Sequence, residues 1–243
     1  MNVELYLTPV PLGKASFENK TVAIIDVLRS TTSICAALTA GAKGVITTDG
    51  ADKAVEMRTK IGAESSVLAG ERGGVKIENF HLGNSPLEFT KEAVGDKFVI
   101  MTTTNGTPLF AAASKAEPVI ATALVNISRV AQRVADEDRD LVIACAGQDG
   151  NFSIEDTICG GMLINLLGER HRRRLHVNDA SSLALLLYLN SRDSIRRNIE
   201  EGEHGRFLAS IGFSRDVETA VAIDSMPVLP VLRDGRLVPD ADN

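Results

Sequence analysis

Residues 21–41 read TVAIIDVLRSTTSICAALTAG, and this stretch decides the fold. The run at 21–27, TVAIIDV, is short, continuously apolar and closed by an acid, as expected of a strand buried on both faces. Ser30 then opens a helical stretch, STTSICAALTA, that Gly41 stops. The same unit recurs outward along the chain. Strands are predicted at 3–7, 44–48, 66–69, 98–102, 119–121 and 140–145, and helices at 52–60, 108–115, 128–136 and 154–167. Such alternation implies an α/β fold: a mostly parallel sheet with helices on both faces, in three layers, α/β/α. Helical patterns dominate after Asn178, and 228–237 reads as a hairpin turning at Asp234–Gly235. Residues 70–86 form the one long aperiodic segment, and a loop of that length inside a domain is expected to be functional or mobile. The chain reads as a single α/β unit, with any subdomain break falling between 145 and 178.

The chain has 243 residues, enough for a core of useful size. Trp is absent and aromatics make up only 4%, so Leu, Ile, Val and Ala must build that core. A formal net charge of −6 argues against nucleic acid as a partner, because phosphate-backbone binding needs a basic surface. It does not exclude a small anionic ligand held by a local cluster. The three cysteines, Cys35, Cys145 and Cys159, sit among apolar neighbours and read as buried free thiols. No stretch approaches the roughly 20 apolar residues of a membrane span. A cytoplasmic protein without membrane contact is the expectation.

In parallel α/β sheets ligands bind beyond the carboxyl ends of the strands. Four polar or Gly-rich segments fall there: DVLRSTT (26–32), GERGGVKIENFHLGNSP (70–86), TTTNGT (102–107) and GQDGNFSIED (147–156). Each has a functional and a structural reading. In TTTNGT, the residues Thr103, Thr104, Asn105, Gly106 and Thr107 suit a phosphate cradle at a helix N-terminus. They equally suit a turn capped by Asn105 or Thr104. Asp26 is placed to bind a metal or attack phosphorus, and Arg29 to hold an anion in paired hydrogen bonds. An Asp26–Arg29 ion pair beside a Ser30 cap fits as well. Glu71 and Arg72 offer a metal ligand and an anion ligand, with Gly73 and Gly74 letting backbone approach a ligand; an exposed turn is the alternative. Asn84 reads as either a ligand contact or a turn residue. Ser153 and Asp156 match a capping box, yet Asp149, Glu155 and Asp156 also supply carboxylates for magnesium. His204 is either a surface or capping histidine or an acid or substrate contact. The basic run HRRRLH (171–176) reads as a solvated helix end, without zinc-site spacing. The chain carries no P-loop lysine after TTTNGT and no Gly-x-Ser-x-Gly elbow.

Taken together, these four segments, with HGRFLASIGFSRD (204–216) and DSMPVLPVL (224–232), resemble the 2-phosphosulfolactate phosphatases of coenzyme M biosynthesis. The resemblance runs from about Thr21 to near the C-terminus, with the motifs in order; Ser30 stands where Ala is common, a change expected to matter little. It implies an α/β fold, Mg²⁺ and hydrolysis of a small anionic phosphate ester. On that basis Mg²⁺ is expected on Asp26, Glu71 and Asp156, assisted by Asp149 or Glu155, and phosphate on Arg29, Arg72 and the TTTNGT amides. An aspartyl-phosphate on Asp26 and direct attack by water both remain open; residue 28 is Leu, so the Asp-x-Asp pairing of haloacid dehalogenase-type phosphatases is absent. Lys76, Arg206 and Arg215 are further cations for an acidic substrate. The alternatives are a non-catalytic module that binds a phosphorylated metabolite, and an isomerase or transferase. The apolar, helix-rich C-terminal half offers a homodimer face.

Overall fold

A computed structural model describes residues 1–9, 17–113, 116, 118–137 and 139–240. The apolar runs form the strands predicted: β1 (Asn2–Tyr6), β2 (Lys20–Ile25), β3 (Gly44–Thr47), β4 (Ser66–Arg72), β6 (Phe98–Thr102), β7 (Val119–Thr122) and β8 (Asp140–Cys145). Two short strands lacked a sequence signal, β5 (Val75–Lys76) and β9 (His176–Val177). The predicted C-terminal hairpin is β10 (Pro230–Arg233) and β11 (Arg236–Pro239), with Asp234 and Gly235 both at positive φ, as a two-residue hairpin turn requires.

Among the described residues, eleven strands join one mostly parallel sheet, ordered β5-β4-β6-β3-β11-β10-β7-β2-β8-β1-β9. It contains two parallel sets, β4-β6-β3 and β7-β2-β8-β1-β9. The β10–β11 hairpin lies between them, antiparallel to both neighbours, bridging β3 only at Leu237–Val45 and β7 only at Val231–Ile120. Three antiparallel steps therefore separate β3 from β7, and the two parallel sets run in opposite senses. The carboxyl ends of β6 and β2 meet, as the Ser30 Oγ to Thr103 Oγ1 hydrogen bond of 2.9 Å records.

Helices cover both faces: α1 (Ser30–Thr39), α2 (Ala51–Ile61), α3 (Lys91–Val94), α4 (Gly106–Ala112), α5 (Ile127–Glu137), α6 (Ile154–Asn165), α7 (Asp179–Ser191), α8 (Ile195–Glu200), α9 (Glu203–Ser210) and α10 (Ser214–Ala220). One face of the sheet buries Val3, Ile25, Leu141 and Ile143 against α5 and α6; the other buries Ile24, Val45, Val99 and Met101 against α1 and α4. The helix expected over 154–167 stays α-helical to Asn165 and then widens into a π-helix, Leu166–Arg170. The helix expected over 108–115 begins earlier, at Gly106, and its expected end at 115 lies outside the described residues. The expected irregular segment at 70–86 is partly regular, since Arg72 and Glu71 pair with Val75 and Lys76 across a turn whose two residues, Gly73 and Gly74, have positive φ. All three cysteines are buried and free, and burial pushes their thiols up. Among the described residues no helix is long and apolar enough to cross a membrane.

Candidate active site

The four strand-end segments converge on one pocket of about 200 Å³. Its wall includes Asp26, Arg29, Glu71, Gly73, Gly74 and Asn84, with Thr104, Asn105, Asp149 and His204 opposite or at the rim. Arg72, Thr103, Gly106, Thr107, Glu155 and Asp156 support this wall rather than line it, so the predicted residues divide into two groups.

Asp26 follows β2 and is 5% exposed. Its Oδ1 accepts the Ser30 N–H at 3.1 Å. Burial pushes its carboxyl up to about 6; the His204 charge and the Ser30 hydrogen bonds offset part of that, and neighbouring Glu71 adds to it. Gly106 is required here by close approach, because a Cβ would stand 2.5 Å from Asp26 Oδ2.

Glu71 ends up tied to backbone. Its Oε2 accepts from the Gly74 N–H at 2.9 Å and its Oε1 from the Thr104 N–H at 2.8 Å. It thus joins the β4–β5 turn to the TTTNGT loop while keeping a face on the pocket. Asp156 is a deeper counterpart. Its oxygens accept from the Val27 N–H at 2.8 Å and the Gly147 N–H at 3.0 Å, so it pins two strand ends together. Burial raises its carboxyl, with Glu155 and Asp26 adding and those two amides offsetting. The predicted capping box does not form: Ser153 is the N-cap of α6 but makes no cap hydrogen bond, and its buried Oγ has no partner. Glu155, also predicted on the metal, accepts instead from His204, with Oε1 and Nδ1 3.0 Å apart. Asp149 is exposed at the rim, with φ of +50° and its N–H directed to Asn105 Oδ1 at 3.4 Å.

The predicted anion ligands are rearranged too. Arg29 makes no pair with Asp26. Its Nη1 donates to Asp216 at 2.8 Å, its Nη2 to the Gly74 carbonyl at 2.6 Å, and its guanidinium stacks on Phe213 at 4.5 Å. Ser85 Oγ donates to the other Asp216 oxygen at 2.6 Å. Arg72 turns to the Glu71 carbonyl and Thr102 Oγ1. In TTTNGT, Thr103 and Thr107 bond reciprocally, each backbone N–H donating to the other's hydroxyl, so neither predicted side-chain cap is used. With the Thr104 amide on Glu71, the Asn105 and Gly106 N–H groups are the cradle donors left without an acceptor among the described residues. Asn84 is buried on the wall, with its Oδ1 unpartnered; only its Nδ2 can donate to a phosphoryl oxygen. Lys76, Arg206 and Arg215 do not line the pocket. Sequence reasoning missed Asp216, which lies 187 residues from its partner Arg29 with nothing local to mark it.

The wall thus presents three carboxylates, Asp26, Glu71 and Asp149, against an already paired guanidinium and one imidazole. Among the described residues no three His, Cys, Asp or Glu side chains cluster tightly enough to hold a metal by themselves. A hard cation that shares its coordination sphere with substrate oxygens and water still fits a wall of carboxylates.

The family model described as 2-phosphosulpholactate phosphatase matches residues 6–235. Among similar proteins, one from Carboxydothermus hydrogenoformans is 35% identical over 241 residues, 98% of this chain and 97% of its own length. One from Caldanaerobacter subterraneus subsp. tengcongensis is 34% identical, covering 97% of each chain, and one from Clostridium beijerinckii is 33% identical, covering 98% of this chain and 99% of its own. All three carry the name probable 2-phosphosulfolactate phosphatase.

Proposed function

Because the chain belongs to the 2-phosphosulpholactate phosphatase family, we propose that its pocket is a Mg²⁺-dependent phosphoric monoester hydrolase site. The substrate is a small acidic phosphate ester, 2-phosphosulfolactate, and the products are the alcohol, sulfolactate, and inorganic phosphate. One observation carries this reading: three carboxylates face the pocket that, as the family's phosphate-ester chemistry implies, receives an anionic ligand. Acids alone would repel that ligand, whereas acids around a divalent cation would capture it. One or two of Asp26, Glu71 and Asp149 at a time would hold the ion, with water and substrate oxygens sharing its coordination. Glu155 and Asp156 are left out of this ligand set because they stand behind the pocket wall and do not line it. The bound ion would supply positive charge to the phosphoryl oxygens.

The chain's own groups do the rest. The free amides of Asn105 and Gly106 and the carboxamide of Asn84 donate to phosphoryl oxygens, which orients the ester. Arg29 adds its fixed charge from within the wall while Asp216 and Gly74 immobilise it. Phosphate release from racemic 2-phosphosulfolactate, with Mg²⁺ and with EDTA, tests the reading. Metal-dependent release is the expected result. No release from this or any other ester, with phosphorylated ligands still raising the melting temperature, would replace it with a non-catalytic binding module.

A further inference from the structure

We propose that His204 is the general acid of this hydrolysis and that Glu155 is the residue that positions it. The proposal rests on the phosphatase reading and adds what that reading lacks, a donor for the leaving oxygen. His204 stands in the first turn of α9 on the pocket wall, beside Phe207, whose ring centroid lies 6.3 Å from its own. Its Nδ1 is 3.0 Å from Glu155 Oε1. Glu155 is 1% exposed and belongs to the first turn of α6, which the Asp156 bonds hold rigidly against β2 and β8. An accepting carboxylate at Nδ1 places a hydrogen on that nitrogen and fixes the ring plane. The opposite nitrogen, Nε2, has no protein partner among the described residues and is the one left for a ligand.

Two further observations support the assignment. Glu155 Oε2 is buried with no hydrogen-bond partner. A half-satisfied buried carboxylate is a poor structural device, since an orphaned buried polar atom is destabilising. The bond to His204 is therefore what this acid provides. The other groups on the wall also cannot fill the role: Arg29 does not release protons, and Glu71 and Asp149 are the carboxylates assigned to the cation. Asp26 is likewise assigned to the cation.

The step balances without a further reagent. Water oxygen bonds to phosphorus as the bond from phosphorus to the ester oxygen breaks. The Nε2 proton of the imidazolium moves to that ester oxygen, which departs as an alcohol. Both water hydrogens stay on the product, dihydrogen phosphate, and solvent reprotonates the imidazole.

Leaving-group chemistry tests this. An alkyl ester expels a basic alkoxide and needs the acid; an aryl ester of an acidic phenol hardly does. His204→Gln and His204→Ala are expected to lower kcat on 2-phosphosulfolactate by about 10²- to 10⁴-fold and on 4-nitrophenyl phosphate by less than about tenfold. Glu155→Gln is expected to shift the alkyl-to-aryl ratio in the same direction by about tenfold, with melting temperatures confirming that each variant folds. Equal losses on both esters, or none, would overturn the assignment. A change in melting temperature for Glu155→Gln with an unmoved ratio would reduce Glu155 to packing. If wild-type protein releases phosphate from neither ester, the phosphatase reading fails first and takes the general acid with it.

Discussion

Two concave regions of the molecule carry opposite charge. The strand-end pocket is walled by Asp26, Glu71 and Asp149, whereas a groove beside α5 is lined by Arg129, Arg170 and His171. Charge matching alone would send a phosphate ester to the groove. Yet the groove sets its side-chain cations beside the Asp224 carboxylate, with Arg170 already turned to Ser128 Oγ, while the pocket brings together four strand ends, unpartnered backbone amides and a buried carboxamide. Arginines on an open surface bind phosphate weakly, because water and salt screen their charge. Carboxylates around a divalent cation bind it and draw charge off the phosphoryl group in one arrangement.

The sharpest way to break this contrast is to remove one wall at a time. Asp26→Ala should lower phosphate release by about a thousandfold or more, as should EDTA, in line with losing the dominant electrostatic contribution. Doubly substituted Arg129→Ala, Arg170→Ala protein should stay within about twofold; the reverse pattern would move the reaction to the groove. Next comes the cation buried beneath the pocket. Asp216→Ala leaves Arg29 enclosed without its partner and should cost about 3–5 kcal/mol in urea unfolding. The corresponding loss for Arg129→Ala should fall within about 0.5 kcal/mol.

The third effect depends on pH. The Asp26 carboxyl rises from 3.8 to about 6 on folding, so the folded state holds its proton more tightly than the unfolded chain does. That contribution is full below pH 3.8 and is lost as pH rises through about 6. In EDTA, Asp26→Asn should therefore become more stable than wild type by up to roughly 3 kcal/mol at pH 7, with the gap closing toward pH 4. Parallel stability curves for the two proteins would contradict the burial of this group. The smallest effect concerns Ser30, whose hydroxyl donates to Thr103 at 2.9 Å and so links two pocket loops, a tie the sequence did not suggest. Ser30→Ala should cost about 1 kcal/mol, read as a slight fall in melting temperature.

The sequence was legible where one segment carries its own signal. Phe98–Thr102 and Asp140–Cys145 were delimited by apolar runs alone, and the Asp234–Gly235 turn by its residue types. The four site segments were identified because polar, glycine-rich chain after a buried strand has few structural explanations. What escaped is partnership. Periodicity states that 230–239 forms a hairpin, but not that it enters the middle of the sheet between β3 and β7. Likewise Arg29 with Asp216, and Glu155 with His204, are bonds between residues 187 and 49 positions apart. Glu71 and Asp156 were read by charge as metal ligands. The oxygens of both also meet backbone amides whose direction only the folded loops determine, which leaves Glu71 with a face on the pocket and puts Asp156 behind it.

The central hairpin has a consequence for biosynthesis. Residues 230–239 leave the ribosome after every other strand of the sheet. Until they arrive, β3 and β7 are bare edges, and each parallel set carries only part of the pocket: Glu71 and Thr104 on one side, Asp26 and Asp149 on the other. Open edges of this kind recruit other chains. A nascent chain stalled before Pro230 is thus both inactive and adhesive, and closing the hairpin joins the two sets and removes both edges at once.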